Sequence, residues 1–165
     1  MTLRMTLRMI ATGGTFDKHY DELAGQLTFG RSHLAEALTR SRITVPFQLE
    51  ELFLLDSLDM GAPDRERVLA ACTAAAEKAL VIVHGTDTMP ETAAVLGAAA
   101  LNKTIVLTGA MVPYEIAGSD ALFNLGFAIA AAQLLPSGVY VAMNGTCFDW
   151  HSVRKNRGAG VFEAL

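Results

Sequence analysis

Residues 79–89 read ALVIVHGTDTM: five apolar residues, a polar turn of small side chains, and the opening of an alanine-rich segment. A run so short and so uniformly apolar fits a strand buried on both faces, as in a parallel sheet covered by helices. Thr88, followed three residues later by Glu91, matches a capping box, and Pro90 occupies a tolerated first-turn position. The spacing predicts a helix from about Met89 to Leu101, with Asn102 as its stop.

The same strand-turn-helix alternation extends in both directions. Residues 7–12 (LRMIAT) read as a strand ended by Gly13 and Gly14, and residues 13–30 as a long polar loop with room for a short hairpin. A modest helix is expected over 32–40, with Leu34, Ala37 and Leu38 on one face. Residues 47–55 form a strand that runs out at Asp56 and Ser57. Pro63 opens a helix over 64–77, 104–108 is a strand closed by Gly109, 119–134 a helix and 139–143 a fifth strand. Residues 144–165 are polar and give no clear period. The expected architecture is α/β, a doubly wound, mainly parallel sheet with helices on both faces (Rossmann- or flavodoxin-like, three layers). Residues 1–165 are expected to form one domain.

Bulk properties agree. The 165 residues are 52% hydrophobic and 18% charged, with mean hydropathy +0.33, too apolar for a disordered chain. The formal net charge is −4 and basic residues do not cluster, so neither nucleic acid nor a membrane surface is an expected partner. Cys72 and Cys147 are too few and too far apart for a disulfide framework or a metal motif. Both are expected to be buried free thiols in a cytoplasmic protein, with no metal or organic cofactor. The apolar runs are too short to span a membrane. The start, MTLRMTLRM, repeats a tetrapeptide and lacks the long apolar segment of a signal peptide.

Ligands of doubly wound proteins bind at the carboxyl ends of the strands. Two threonine clusters are delivered there: Thr12 and Thr15 around Gly13–Gly14, and Thr86 and Thr88 around Asp87. The Gly-Gly pair is either a tight strand exit or a place where backbone approaches ligand. Neither the lysine of a P-loop nor a GxGxxG pattern accompanies it. Asp87 either caps the helix locally or, with Thr86, faces a ligand held by the helix N-terminus. A threonine hydroxyl needs a base to act as nucleophile. None of His19, His33, His84 and His151 stands in an obvious triad, and His84 reads as packed at a strand end. Lys155 is either a solvated surface lysine or a base returned to the sheet edge. Ser57 is either a turn residue or a substrate contact.

Taken together, ATGGTF (11–16), DSLDM (56–60), HGTDTMPET (84–92), TGAMVP (108–113), SDALFNL (119–125) and MNGTCFDWHSVRK (143–155) resemble the N-terminal domain of the bacterial-type L-asparaginase/glutaminase family. They occur in that family's order and cover nearly the whole chain. The resemblance implies hydrolysis of the side-chain amide of L-asparagine, or of L-glutamine, through a threonine acyl-enzyme. On that pattern Thr12 matches the first nucleophilic threonine, and Thr86, Lys155 and Asp87 match the second threonine, its base and the acid that orients it. Ser57 matches a residue that binds the substrate α-carboxylate. Backbone at Gly85 and Ala110 would hold the carboxylate and the side-chain amide, and Tyr20 stands for the tyrosine of the family's first loop. Leu58 departs from the polar residue usual after the serine. The family's C-terminal domain, which completes a neighbouring subunit's site, is expected to be absent. Assembly into a homo-oligomer is implied by the same resemblance. The competing readings are a non-catalytic module that binds a small amino acid or amide, and a chain like the amidotransferase relatives of asparaginases.

Overall fold

The computed structural model describes residues 5–165. The first copy of the MTLR repeat lies outside the described residues, whereas the second runs into the first strand. In chain order the strands are β1 (Leu7–Gly13), β2 (Lys18–Asp21), β3 (Gln26–Phe29), β4 (Phe47–Leu55), β5 (Ala79–Val83), β6 (Thr104–Thr108), β7 (Gly138–Met143), β8 (Thr146–Asp149), β9 (Val153–Asn156) and β10 (Val161–Ala164). The helices are α1 (Leu34–Arg40), α2 (Ala62–Ala74), α3 (Met89–Ala98) and α4 (Ala121–Leu134). One six-stranded sheet has the order β4-β1-β5-β6-β7-β8. Its first five strands are parallel and β8 returns antiparallel to β7. β2 with β3, and β9 with β10, form separate antiparallel hairpins.

The sheet is coated on both faces because its central strand β5 is apolar at every position and the strands beside it are largely so. On β5, Ala79, Val81 and Val83 pack with α1 and α4, while Leu80 and Ile82 pack with α2 and α3. On β1 the split is Leu7, Met9 and Ala11 against Ile10. Each large side chain so enclosed contributes roughly 1.5–3 kcal/mol, an upper bound set by the extended-chain reference.

Three local expectations are corrected. Helix α2 starts at Ala62, where the Asp64 carboxylate accepts the Gly61 N–H at 2.9 Å, and ends at Ala74. Helix α3 stops at Ala98, short of Asn102, because Ala100 turns into the left-handed region (φ 47°) and its N–H bonds back to the Gly97 carbonyl. Cys72 is buried on α2, where burial pushes its thiol up to about 12, but Cys147 is exposed on the edge strand β8.

Helix α2 ends on a buried cation. The Lys103 ammonium, at the entry to β6, donates to the carbonyls of Cys72 (2.7 Å) and Thr73 (3.4 Å) and contacts that of Ala75. These oxygens have no partner inside the helix. Lys103→Met keeps the length of the stem and removes the donor, so it is expected to cost about 1–3 kcal/mol. The measurement is urea unfolding, with a lower midpoint at unchanged slope.

Candidate active site

The chain leaves β1, forms β4 on one side, then crosses to β5 on the other. This places a topological switch point beside β1, where doubly wound proteins open a crevice at the carboxyl ends of the strands. Residues 12–15 and 84–88 meet at that crevice, in contact through backbone. A Cβ built on Gly14 would lie 2.3 Å from the Gly85 Cα, and one built on Gly85 would lie 2.6 Å from the Ser57 Cβ. Gly14 also needs its positive φ of 76°. Three turns, after β1, β4 and β5, are thereby stacked within van der Waals distance.

Into this stack comes Lys155 from β9. Its ammonium donates to the Thr86 hydroxyl at 2.7 Å and to the Asp87 carboxylate at 2.7 Å. The Lys155 side chain is only 11% exposed, which disposes of the solvated-surface reading. Arg157 stands outside the pair, with Nε 3.7 Å from the same Asp87 oxygen. A cleft of about 290 Å³ opens between the start of α3 and β9, lined in part by Asp87, Glu91, Lys155 and Arg157.

Thr88 begins α3, yet its hydroxyl makes no capping bond. It donates instead to the Ser57 carbonyl at 2.7 Å, and the Thr88 N–H donates to the Ser57 hydroxyl at 3.2 Å. The expected capping box is therefore replaced by a clamp between two turns. Ser57 is almost fully enclosed, held by Asp56, which accepts the Leu58 N–H at 3.0 Å. Leu58 points outward, 60% exposed.

Thr12 does not sit as a nucleophile would. It is fully buried, and its hydroxyl donates to the Val83 carbonyl at 2.8 Å, bracing β1 against the end of β5. Thr15, across the two glycines, is half-buried, and its hydroxyl has no hydrogen-bond partner among the described residues. It follows Gly14 as Thr86 follows Gly85, so the contacting glycines bring these two threonines to one place. Tyr20 lies on β2, 56% exposed, with its N–H donating to Glu115 at 2.6 Å. Its phenol has no partner among the described residues.

Ala110, buried at the exit of β6, leads into a turn supported by residues to which the sequence patterns assign no role. The Asp120 carboxylate accepts the N–H groups of Met111 (3.0 Å) and Val112 (3.0 Å). The fully buried Asn124 donates to the Gly109 carbonyl and to Asp120, each at 2.9 Å, and accepts the Asn144 N–H at 2.9 Å. Polar residues within the apolar helix α4 are the available signal, since a buried amide must have partners.

Comparison with known proteins shows the family and the fold. Residues 6–162 match the family described as "Asparaginase, N-terminal". The chain belongs to the asparaginase family. It is 31% identical to a glutamyl-tRNA(Gln) amidotransferase chain of Aeropyrum pernix, over 93% of this chain and 38% of that protein. It is 30% identical to L-asparaginase 2 of Escherichia coli, over 94% of this chain and 47% of that protein. The solved structure of the thermostable L-asparaginase from Thermococcus kodakarensis superposes with a TM-score of 0.85 at 27% identity, covering 98% of this chain and 51% of that one. The chain thus spans about half the length, or less, of these relatives.

Two buried titratable groups frame the site of this asparaginase-family chain. His84, wholly enclosed, is pushed down to about 4 by burial, against the pull of its bond to the Gly85 carbonyl. Its Nδ1 lies 2.7 Å from that carbonyl and its Nε2 2.8 Å from the Thr92 hydroxyl, so a neutral imidazole fits both partners. Asp17 is raised to about 6 by burial, which outweighs hydrogen bonds from the His33 N–H (2.8 Å) and the Ser32 hydroxyl (2.9 Å). Its second oxygen has no partner among the described residues.

The linkage signs are opposite. His84 stabilises the fold above pH 6.5 and loses that contribution as pH falls towards 4. Asp17 favours the fold when protonated, below pH 3.8, and loses that contribution as pH rises through 6. Each swing is on the order of 3 kcal/mol, so the two largely offset each other between pH 4 and 6.5. Asp17→Asn is expected to steepen the acid loss of stability across that window, and His84→Gln to reverse it into a gain. Thermal melts from pH 4 to 7 check both slopes.

Proposed function

We propose that this chain is an amidohydrolase that releases ammonia from the side-chain amide of L-asparagine, with L-glutamine as a second substrate, through a threonine acyl-enzyme. The observation that carries this reading is the Thr86–Lys155–Asp87 constellation, a hydroxyl and a carboxylate on one lysine at 2.7 Å each. In its neutral form Lys155 takes the threonine proton as the oxygen attacks the amide carbon. Asp87 steadies the resulting ammonium. The proton then passes to the departing nitrogen, ammonia leaves, and a threonine ester remains. Water attacks the ester with Lys155 again as base, releasing the acid and restoring the hydroxyl.

Thr86 has its base in place, and Thr15 takes the role that the family resemblance gave to Thr12. Ser57, Gly85 and the first turn of α3 receive the substrate carboxylate, where unpaired N–H groups favour an anion. The Ala110 turn, held by Asp120 and Asn124, receives the amide. No metal or organic cofactor enters the reaction. Homo-oligomerisation and a cytoplasmic setting belong to the same proposal; a "Probable Cytoplasmic L-asparaginase" from Campylobacter jejuni superposes with a TM-score of 0.81 at 27% identity. No described helix is long and apolar enough to cross a membrane.

A second reading, a chain that supplies ammonia to an amidotransferase partner, is favoured by the similarity to glutamyl-tRNA(Gln) amidotransferase chains from Aeropyrum pernix and Pyrococcus furiosus. Ammonia release that requires a co-purifying partner would select it. In the purified chain, Thr86→Ala, Lys155→Met and Thr15→Ala are each expected to lower ammonia release from L-asparagine by about 10²–10⁴-fold. Thr12→Val, which removes a bracing bond and no reacting group, is expected to stay within about tenfold. Folded wild type that releases no ammonia would sink the hydrolase reading and leave a binding module.

A further inference from the structure

The β2–β3 hairpin springs from the turn after β1 that carries Thr15, and one ion pair at its base is unexplained by the chemistry above. Lys18, the first residue of β2, places its ammonium 2.5 Å from an Asp56 carboxylate oxygen. Asp56 immediately precedes Ser57, and its other oxygen accepts the Leu58 N–H. Both side chains are mostly screened, at 21% and 30% exposure. The ammonium also lies 5.7 Å from the centre of the Phe29 ring, on the second strand of the same hairpin. Burial alone would raise the Asp56 carboxyl. The Lys18 bond, the Leu58 amide and the charges of Lys18 and Lys155 outweigh it and hold the group below its ordinary range, ionised at neutral pH.

The backbone between these turns is already close: the Gly14 N–H donates to the Leu55 carbonyl at 2.9 Å. The Thr88 clamp ties Ser57 to the turn after β5, and among the described residues Lys18–Asp56 is the one side-chain hydrogen bond that ties the Ser57 turn to the segment after β1. It is charged, sits one residue before Ser57 and reaches to a position three residues after Thr15.

We infer that Lys18 and Asp56 form a positioning pair that locks the Ser57 turn to the Thr15 turn, so that the carboxylate-binding groups hold register with the threonines. This rests on the hydrolase reading for the identity of the bound acid. Neither residue touches the reacting atoms. Their contribution is to the binding of an amino-acid carboxylate rather than to bond making.

The test separates the ion pair from the turn it supports. Asp56→Asn retains an oxygen for the Leu58 N–H and removes the charge, and Lys18→Met retains the stem. Binding of L-aspartate, the product acid, is measured by calorimetry, which needs no turnover, alongside KM and kcat for L-asparagine. Each single variant is expected to weaken aspartate binding and raise KM about tenfold, with kcat within about threefold. The double variant is expected to be no worse than the stronger single, the mark of one shared interaction. Lys18→Arg is expected to stay within about twofold of wild type. Additive losses, unchanged aspartate affinity in either single variant, or a fall in kcat at constant KM would overturn the pair's role, as would a wild type that does not bind aspartate. Coupled losses of aspartate affinity without any ammonia release would leave the pair standing and remove the hydrolase reading.

Discussion

The whole site hangs on one backbone contact, Gly14 against Gly85, with Ser57 stacked on the far side of Gly85. No Cβ fits at either glycine without moving backbone, so the turns after β1, β4 and β5 approach as closely as peptide planes allow. On the proposed function, this closeness builds the site at the switch point. The same close approach recurs on the other side of β5, where a Cβ built on Gly109 would lie 2.3 Å from the His84 carbonyl oxygen. At the Gly14–Gly85 contact the next residues in the chain are Thr15 and Thr86.

Precision at the contact is inherited from the sheet. β1 and β5 pair in parallel register from Leu7 with Ala79 to Ala11 with Val83, and the enclosed Thr12 hydroxyl fastens the last rung to the Val83 carbonyl. Thr12 acts on the site as a spacer, and its burial follows from the alternation of β1, which gives it no route to the crevice. His84 does comparable work on the next turn. Held between Gly85 and Thr92, it spends both ring nitrogens on structure, and burial keeps it neutral, so the strand end adds no cation beside Lys155. A histidine two residues from a proposed nucleophile is often taken for a base; its hydrogen bonds exclude that here.

The central sheet is readable in the sequence because its signal is local. β4, β5 and β6 run over the residues that their apolar runs delimit, and Ser57 and Thr86 reach the same edge because strands of a doubly wound sheet expose their carboxyl ends together. The tail is not readable for the opposite reason. β8 is an edge strand and β9–β10 a two-stranded hairpin, so neither carries the continuous apolar pattern of a buried strand, and Cys147 on β8 faces solvent. Lys155 is assignable only through family resemblance, since its partners Thr86 and Asp87 lie 69 and 68 residues away. Thr88 misleads because capping grammar considers only the helix it starts, whereas here the hydroxyl donates to the Ser57 carbonyl on another turn and its oxygen accepts no helix N–H.

Two kinds of construction therefore meet at one point. The threonines and the Ala110 turn are fixed largely through backbone: glycine contacts, a strand register, and Asp120 and the buried Asn124 holding peptide N–H and C=O groups. Lys155 arrives on a long side chain from a hairpin outside the main sheet. A backbone-built cradle tolerates almost no change in residue size, because adding one methyl at Gly14 or Gly85 displaces a whole turn. A side-chain-delivered base tolerates movement of its scaffold, because a flexible four-carbon stem can recover small displacements while Asp87 and Thr86 still define the end point. That division explains why the recognisable sequence signature concentrates in small residues at strand ends. The proposed chemistry depends on one lysine, which only the family motif at 143–155 marks in the sequence.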